Sequence, residues 1–461
     1  MFTGRSEELK RLNEMHSSGK FEFAIIYGRR RVGKTTLIKE FIKDKKAIYF
    51  ASREADGPLN LNWFSSDVYS VTSKELAKKA FFSDWEEAFD YIYQVSKEAR
   101  LVLAIDEYPF LAGSYSPISS ILQIHIDNQF KDSKLFLILC GSSMSFMENQ
   151  VLGYQSPLYG RRTTQLKLRP FTFFESLPFL DSFPREDKAV LYGVTGGVPE
   201  YLGKLNPAKS ASENIIDMFL TPSGALFEEP SNLLNQELRE PGTYNSIIEA
   251  IASGASNLNE IAAKCQLKSN KCAKCLSSLM SLGIVKKEFP FDEDTSKKSV
   301  YLLEDMMFRF WYRFVLPNLS GVTNGLGRTI FGAEIEDELP AYMGLVFEEI
   351  CKQYLYEQAK IGALPLLPGK LGRWWGASKE KRQEEIDIVT SRKDIALFCE
   401  CKWKNALVDV DVLSALAKKA ELFQYKETWL WLFSKTGFTE RLCNEALNRS
   451  HVRLIGFDEM I

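Results

Sequence analysis

"FAIIYGRRRVGKTTLIKEFI", residues 23–42, decides how the rest of the chain is read. An apolar run, Phe23 to Tyr27, ends at Gly28, and Gly33-Lys34-Thr35 then opens a segment with Leu37, Ile38 and Phe41 at helical spacing. This is the pattern G-x4-G-K-S/T in the strand, loop, helix setting that it requires. The glycines let backbone N–H groups wrap phosphate oxygens at a helix N-terminus. Lys34 reaches the β- and γ-phosphates, and the Thr35 hydroxyl suits a magnesium ion. The expected nucleotide-binding residues are Gly28, Arg29, Arg30, Arg31, Val32, Gly33, Lys34, Thr35 and Thr36, with ATP and Mg2+ as the implied cofactors.

The second half of such a site follows in "LVLAIDEYPFL", where the apolar run from Leu101 to Ile105 reads as a buried parallel strand ending in Asp106-Glu107. Asp106 suits a water-mediated hold on the magnesium ion, and Glu107 suits the base that orients an attacking water. A third strand, "KLFLILCGSS", ends near Ser142, positioned to sense a γ-phosphate. "PLYGRR" offers Arg161 and Arg162, either of which could act as an arginine finger, within the chain or across to a neighbour. "GVTGGVPEYL" sets Gly196-Gly197-Val198-Pro199 into an otherwise helical region, a sharp break.

These segments, with "FTGRSEELKRLNE" at the start (Phe2, Gly4, Arg5, Glu8, Leu9), resemble the archaeal-type ATPases of the STAND branch of AAA+-related P-loop proteins, over residues 1 to about 235. In that family the opening box packs near the adenine, and the Gly-Gly-x-Pro segment closes over the nucleotide from a helical lid. The resemblance therefore implies that Gly4, Arg5 and Pro199 are base-side or lid residues.

A chain of 461 residues is too long for one core, and roughly three domains are expected. Apolar content of 45%, charged content of 26% and a net charge of −2 are ordinary, so any nucleic-acid surface must be local rather than global. No run of apolar residues is long enough for a membrane span and no basic-then-apolar leader is seen, so a cytoplasmic location without membrane contact is expected. The 8 cysteines follow no framework spacing. Cys272-x-x-Cys275 lacks a second half-site, and with Leu276 and Leu279 it reads as a buried helical stripe.

From Tyr244, three helical segments precede two short strand-like runs, "IVKKEFPF" and "KSVYLLE", around an acidic turn at 292–297. This is the plan of a winged helix-turn-helix. Asn257 and Ser269 are the expected N-caps. Six lysines (264, 268, 271, 274, 286, 287) stand against Glu249, Glu260 and Glu288, which suits phosphate contact. Weak DNA contact and an internal docking role both fit. The aromatic run after it, "YLLEDMMFRFWYRFVLPN", is expected to pack as core. Pro and Gly residues mark 317–336 as a linker.

The last segment carries "EEIDIVTSRKDIALFCECKW", residues 384–403. If its two apolar runs are adjacent strands, Asp387, Glu400 and Lys402 converge, since residues i and i+2 share a strand face. Two carboxylates there suit a hard divalent cation, and a lysine can position water and balance charge on a phosphate. Glu348, on the preceding helix, could complete the shell, or Gln383, Glu384 or Glu385 could take its place. Glu348, Asp387 and Glu400-x-Lys402 resemble the motif of the PD-(D/E)xK nuclease superfamily. The whole chain is similar to archaeal-type ATPases that carry a C-terminal nuclease-like domain of unassigned function. The resemblance implies catalytic roles for Glu107, Glu348, Asp387, Glu400 and Lys402, with Thr35, Asp106, Asp387 and Glu400 as metal ligands.

The expected architecture is α/β and multidomain: a P-loop ATPase core at 1–170, a helical lid at 171–240, a winged helix at 241–316, the linker at 317–336 and a nuclease-like α/β domain at 337–461. The expected partners are ATP and DNA, with a homo-oligomer or a protein partner left open. Two other readings compete with ATP-controlled nuclease chemistry: a nucleotide-gated DNA-binding or signalling regulator with an inactive nuclease fold, and an ATPase that remodels a protein partner.

Overall fold

Four apolar runs and one short, polar edge segment form five parallel strands, and their order determines where the loops meet. A computed structural model describes every residue except Met1, Lys74, 76–79, Asp292, 294–297 and 379–380. It divides into two compact units, the first comprising Met1–Pro170 with Val198–Glu200, the second Phe171–Gly197 with Tyr201–Ile461.

In the first unit, β1 (Glu22–Tyr27), β2 (Ala47–Ala51), β3 (Leu101–Asp106), β4 (Leu135–Gly141) and β5 (Thr164–Lys167) form one sheet in the order β2-β3-β4-β1-β5. Every pairing is parallel. β3 and β4 are buried along their whole length, which is why they are continuous apolar runs rather than alternating ones. Because the strands are parallel, Tyr27, Ala51, Asp106 and Gly141 all end at one edge, where ligands bind in open α/β sheets. Gly28 is needed by close approach: a Cβ there would lie 2.4 Å from the Leu168 carbonyl oxygen.

The second unit opens with helices Phe173–Leu180, Arg185–Thr195, Ala211–Phe219 and Glu229–Glu237. The Arg185–Thr195 helix ends at Gly196, which has φ 63°. Helices Pro241–Ala252, Leu258–Lys264 and Ser269–Ser281 follow, then β6 (Val285–Glu288) paired antiparallel with β7 (Val300–Leu303). Asn257 caps its helix through a reciprocal bond with Glu260. Ser269 differs from expectation. It is the first helical residue, and Lys268 occupies the cap position without a side-chain bond. Cys272, Cys275, Leu276 and Leu279 are buried as a stripe. The acidic turn expected at 292–297 lies, apart from Glu293, outside the described residues. Past β6, Phe291 is buried in the same apolar cluster as Ile386, Val389 and Phe398, and its N–H donates to the Arg373 carbonyl at 2.9 Å.

The aromatic run is core, with the Trp311 indole donating to the Phe227 carbonyl at 2.7 Å and the Tyr312 hydroxyl to Asn245 at 2.6 Å. The segment expected as a linker is instead a chain of short helical turns, Leu316–Asn318, Leu319–Thr323, Gly327–Ile330 and Phe331–Ile335, with Val322, Phe331 and Ile335 buried. Two of its glycines serve packing: a Cβ at Gly327 would sit 1.9 Å from the Leu220 carbonyl oxygen, and one at Gly321 would sit 2.8 Å from the Ile330 side chain.

The long helix Leu339–Lys360 then leads into a second sheet of β8 (Gly372–Ala377), β9 (Gln383–Arg392), β10 (Ile395–Lys402), β11 (Glu427–Ser434) and β12 (Val452–Gly456), in the order β12-β11-β10-β9-β8. The β8-β9-β10 meander is antiparallel. β11 and β12 join in parallel through the crossover helices Val410–Ala420 and Glu440–Leu447. Among the described residues, no helix is long and apolar enough to cross a membrane.

Candidate functional site

The P-loop residues gather at the carboxyl edge of the first sheet. Gly33 has φ 88° and starts the helix Lys34–Ile42. Lys34 is buried, and its Nζ donates to the carbonyls of Gly28 and Arg29, each at 2.9 Å. Val32 and Arg29 are buried, whereas Thr35 and Thr36 are exposed at the helix start. Arg5 sits at the head of the first helix with φ 59°, and its buried guanidinium donates to the carbonyls of Val32, at 3.0 Å, and Arg169. Arg31, at φ 71°, pairs with Glu200 at 2.9 Å, and a side chain at Gly33 would meet the Pro199 ring. Pro199 and Glu200 therefore belong with the loop, although the helix before them does not.

Asp106 is the hub of the site. Its Oδ2 accepts from the Thr35 hydroxyl and from the Tyr49 hydroxyl, both at 2.7 Å, and its Oδ1 accepts from the Glu107 N–H at 3.0 Å. Burial, then the charge of Asp106, holds the Tyr49 phenol well above its usual pKa, so it stays a donor. Hard oxygens from Thr35 and Asp106, the carboxylate accepting from two hydroxyls and a backbone N–H, fit a magnesium ion by donor chemistry. Glu107 has φ 50°, and its Oε2 accepts from the N–H and hydroxyl of Ser142 at 3.2 and 2.8 Å. Ser52 donates to the carbonyls of both Asp106 and Glu107, at 2.7 and 2.6 Å.

Sequence reasoning missed Tyr49 and Ser52. In "AIYFAS" both look like ordinary strand and strand-end residues, and only the β2-β3 pairing brings them to Asp106.

The two arginines separate. Arg161 clamps Asp127 through Nη2 at 2.6 Å and Nε at 3.1 Å, and donates to the carbonyls of Pro157 and Tyr159. Arg162 has no ion pair among the described residues. If Arg162 is the arginine finger, Arg162→Ala is expected to lower ATP turnover by at least roughly a thousandfold. Arg161→Ala should chiefly lower the melting temperature, with a cost of about 0.5–1 kcal/mol for a partly exposed pair. Phosphate release and thermal unfolding of the two variants separate these outcomes.

A second constellation lies on β9 and β10. Asp387 stands one step beyond the Ile388–Cys399 pair of the ladder and accepts the Cys401 N–H at 2.7 Å. Both oxygens of Glu400 are taken: Lys402 Nζ lies 2.5 Å from Oε1 and Lys419 Nζ 3.3 Å from Oε2. Lys419, from the helix Val410–Ala420, also donates to the Glu385 carbonyl at 2.7 Å. Burial, then the charges of Glu400 and Glu348, pushes the Asp387 carboxyl up to about 7. Burial raises Glu348 too, against the pull of Lys352 and Arg373. Burial works to lower Lys402, but Glu400 and Asp387 outweigh it and hold the ammonium above its ordinary value. Glu385 is engaged by Arg373 at 2.7 Å.

Among the described residues, no group of three His, Cys, Asp or Glu side chains is arranged to hold a metal ion. The carboxylates whose charges meet at this site are Asp387 and Glu400, with Glu348 acting on Asp387 through its charge. Lys419 was not foreseen, and its position on a crossover helix carries no local signal.

Comparison with known proteins matches residues 2–205 to a family described as an ATPase domain predominantly from Archaea, and residues 311–419 to a family of archaeal and bacterial proteins of unknown function. An uncharacterized protein of Methanocaldococcus jannaschii, MJECL04, is 36% identical over 417 residues, which is 89% of each chain. An uncharacterized ATP-binding protein of the same organism, MJ0423, is 52% identical over 46 residues, 10% of this chain and 78% of that one. Among solved structures, a Walker-type ATPase of Pyrococcus abyssi has a TM-score of 0.50 at 18% identity and covers 68% of this chain and 96% of its own, a likeness of fold.

Proposed function

Because the chain belongs to the family of the Methanocaldococcus jannaschii protein MJECL04 and its own residues 2–205 match an archaeal ATPase domain, it binds and hydrolyses ATP, and we propose that this activity controls a magnesium-dependent phosphodiesterase that acts on DNA. The observation that carries the proposal is the meeting of Asp387 with Glu400 and Lys402 at the end of the β9-β10 ladder.

In the ATPase half, the backbone of 28–33 and Lys34 bind the phosphates, and Thr35 and Asp106 would hold Mg2+, which when bound supplies charge neutralisation at the phosphates. Ser142, whose N–H and hydroxyl donate to Glu107, would turn those donors to a bound γ-phosphate, which would leave the Glu107 carboxylate free to orient water. In the C-terminal domain, 337–461, Asp387 and Glu400 would hold the divalent cation. Lys402 positions a water and balances charge on the phosphodiester, and Glu348 tunes the pair from the preceding helix. The segments 171–240 and 241–316 act as lid and winged helix, and the working compartment is the cytoplasm. The six lysines between 244 and 290 support DNA contact, although Lys271 is held by Glu240 at 2.9 Å.

Supercoiled plasmid incubated with the protein and Mg2+ or Mn2+, with and without ATP, tests this. Cutting is expected in the wild type and should fall by roughly a hundredfold or more in Asp387→Ala and in Lys402→Ala. Absence of cutting by the wild type overturns the nuclease reading.

A second reading, a nucleotide-gated DNA-binding or signalling regulator, is favoured by the two ammonium groups already seated on Glu400. It expects DNA affinity to survive Asp387→Ala in metal-free buffer. The anchoring of Phe291 on β8 favours a docking role for the β6-β7 hairpin, and with it an ATPase that acts on a protein partner. A purified protein that ignores DNA at low salt would support that third reading.

A further inference from the structure

We propose that Tyr49 is a positioning residue of the ATPase site, fixing the rotamer of the Asp106 carboxylate so that it can serve a magnesium ion together with Thr35. The β2-β3 ladder sets Tyr49 beside Ala104 and Ala51 beside Asp106, so the phenol reaches two residues along to the strand end. Two residues of strand span about 6.6 Å, within the length of a tyrosine side chain. Its hydroxyl donates to Asp106 Oδ2 at 2.7 Å, while the Glu107 N–H holds Oδ1 at 3.0 Å. Each carboxylate oxygen is therefore held by a donor that has no other role at the metal.

Thr35 is different. Its hydroxyl also donates to Oδ2, at 2.7 Å, but a magnesium ion takes the oxygen of this group. When that happens, the Tyr49 hydroxyl still holds Oδ2, with the buried Cys140 thiol also beside the carboxylate. Lys39, with Nζ 5.5 Å from the Tyr49 ring centre, steadies the ring from the P-loop helix. A carboxylate that could swing would lose part of its hold on the ion without altering the loop that binds the phosphates. The role thus divides nucleotide affinity from metal affinity.

The test uses the full-length protein. ADP-induced stabilisation against heat is titrated with MgCl2, beside ADP in EDTA, for the wild type and Tyr49→Phe. Loss of one hydrogen bond to a charged group predicts a rise of roughly tenfold in the Mg2+ concentration for half-maximal stabilisation. Stabilisation by ADP in EDTA should be unchanged, and ATP turnover should recover at saturating Mg2+. An unchanged Mg2+ midpoint overturns the proposal. So does weakening of ADP binding in EDTA, which marks a merely structural role. If Tyr49→Phe fails to fold, judged by melting without ligand, Tyr49→Met also lacks the hydroxyl and carries the same comparison.

Discussion

Lys34→Ala is expected to lower ATP turnover by roughly a hundred- to a thousandfold, the usual effect of removing one positioned charge where negative charge develops. Lys34, with Arg29, is one of two buried cations of the loop. It is buried and bonded to the Gly28 and Arg29 carbonyls on a helix whose start is determined by Gly33. On the proposed reading the ammonium would exchange those carbonyl bonds for phosphate oxygens on binding ATP. The two carbonyls are buried and lose a charged donor, so a loss of about 1–3 kcal/mol in ligand-free stability is expected as well. Phosphate release and the ADP-dependent melting shift, measured from the variant's own ligand-free melting point, should fall together. The same variant tests coupling. If ATP controls DNA cleavage, Lys34→Ala alters cutting although Asp387 and Lys402 are intact, and equal cutting with and without ATP would count against control.

Phe347→Ala is expected to cost the second unit about 3–5 kcal/mol of stability. The ring is fully buried on the helix Leu339–Lys360, 5.2 Å from the Trp403 ring and 5.8 Å edge-on from Phe457. Removing it leaves a void between a long helix and the end of β10, where rigid aromatic neighbours cannot collapse inward. Denaturant unfolding followed by tryptophan fluorescence should show a lower midpoint with an unchanged slope, the mark of lost stability rather than an altered unfolded state. Glu348, whose charge acts on Asp387, is the next residue of the same helix, so a shift of that helix moves it as well. DNA cleavage, if present, should then fall even under conditions where the variant is folded.

What the amino-acid order determined by itself was local. Gly28, Gly33, Lys34 and Thr35 read as a phosphate loop because glycine conformation, a preceding apolar strand and a following amphipathic helix are written within 20 consecutive residues, 23–42. β3 and β4 were legible as unbroken apolar runs, and Asn257 as a cap, for the same reason. Asp387 and Glu400-x-Lys402 could be found because strand alternation puts residues i and i+2 on one face.

Tertiary structure decided everything that depends on which strands become neighbours. Tyr49 reaches Asp106 across 57 residues, Arg161 finds Asp127 across 34, and Lys419 reaches Glu400 across 19. It also turned an expected linker at 317–336 into packed helical turns, since glycine reads alike in sequence whether it frees a chain or lets two backbones touch. The physical reason is common to all of them. Propensity and periodicity act over a few residues, whereas a hydrogen bond between distant side chains forms only once sheet order and helix crossovers have brought their backbones together.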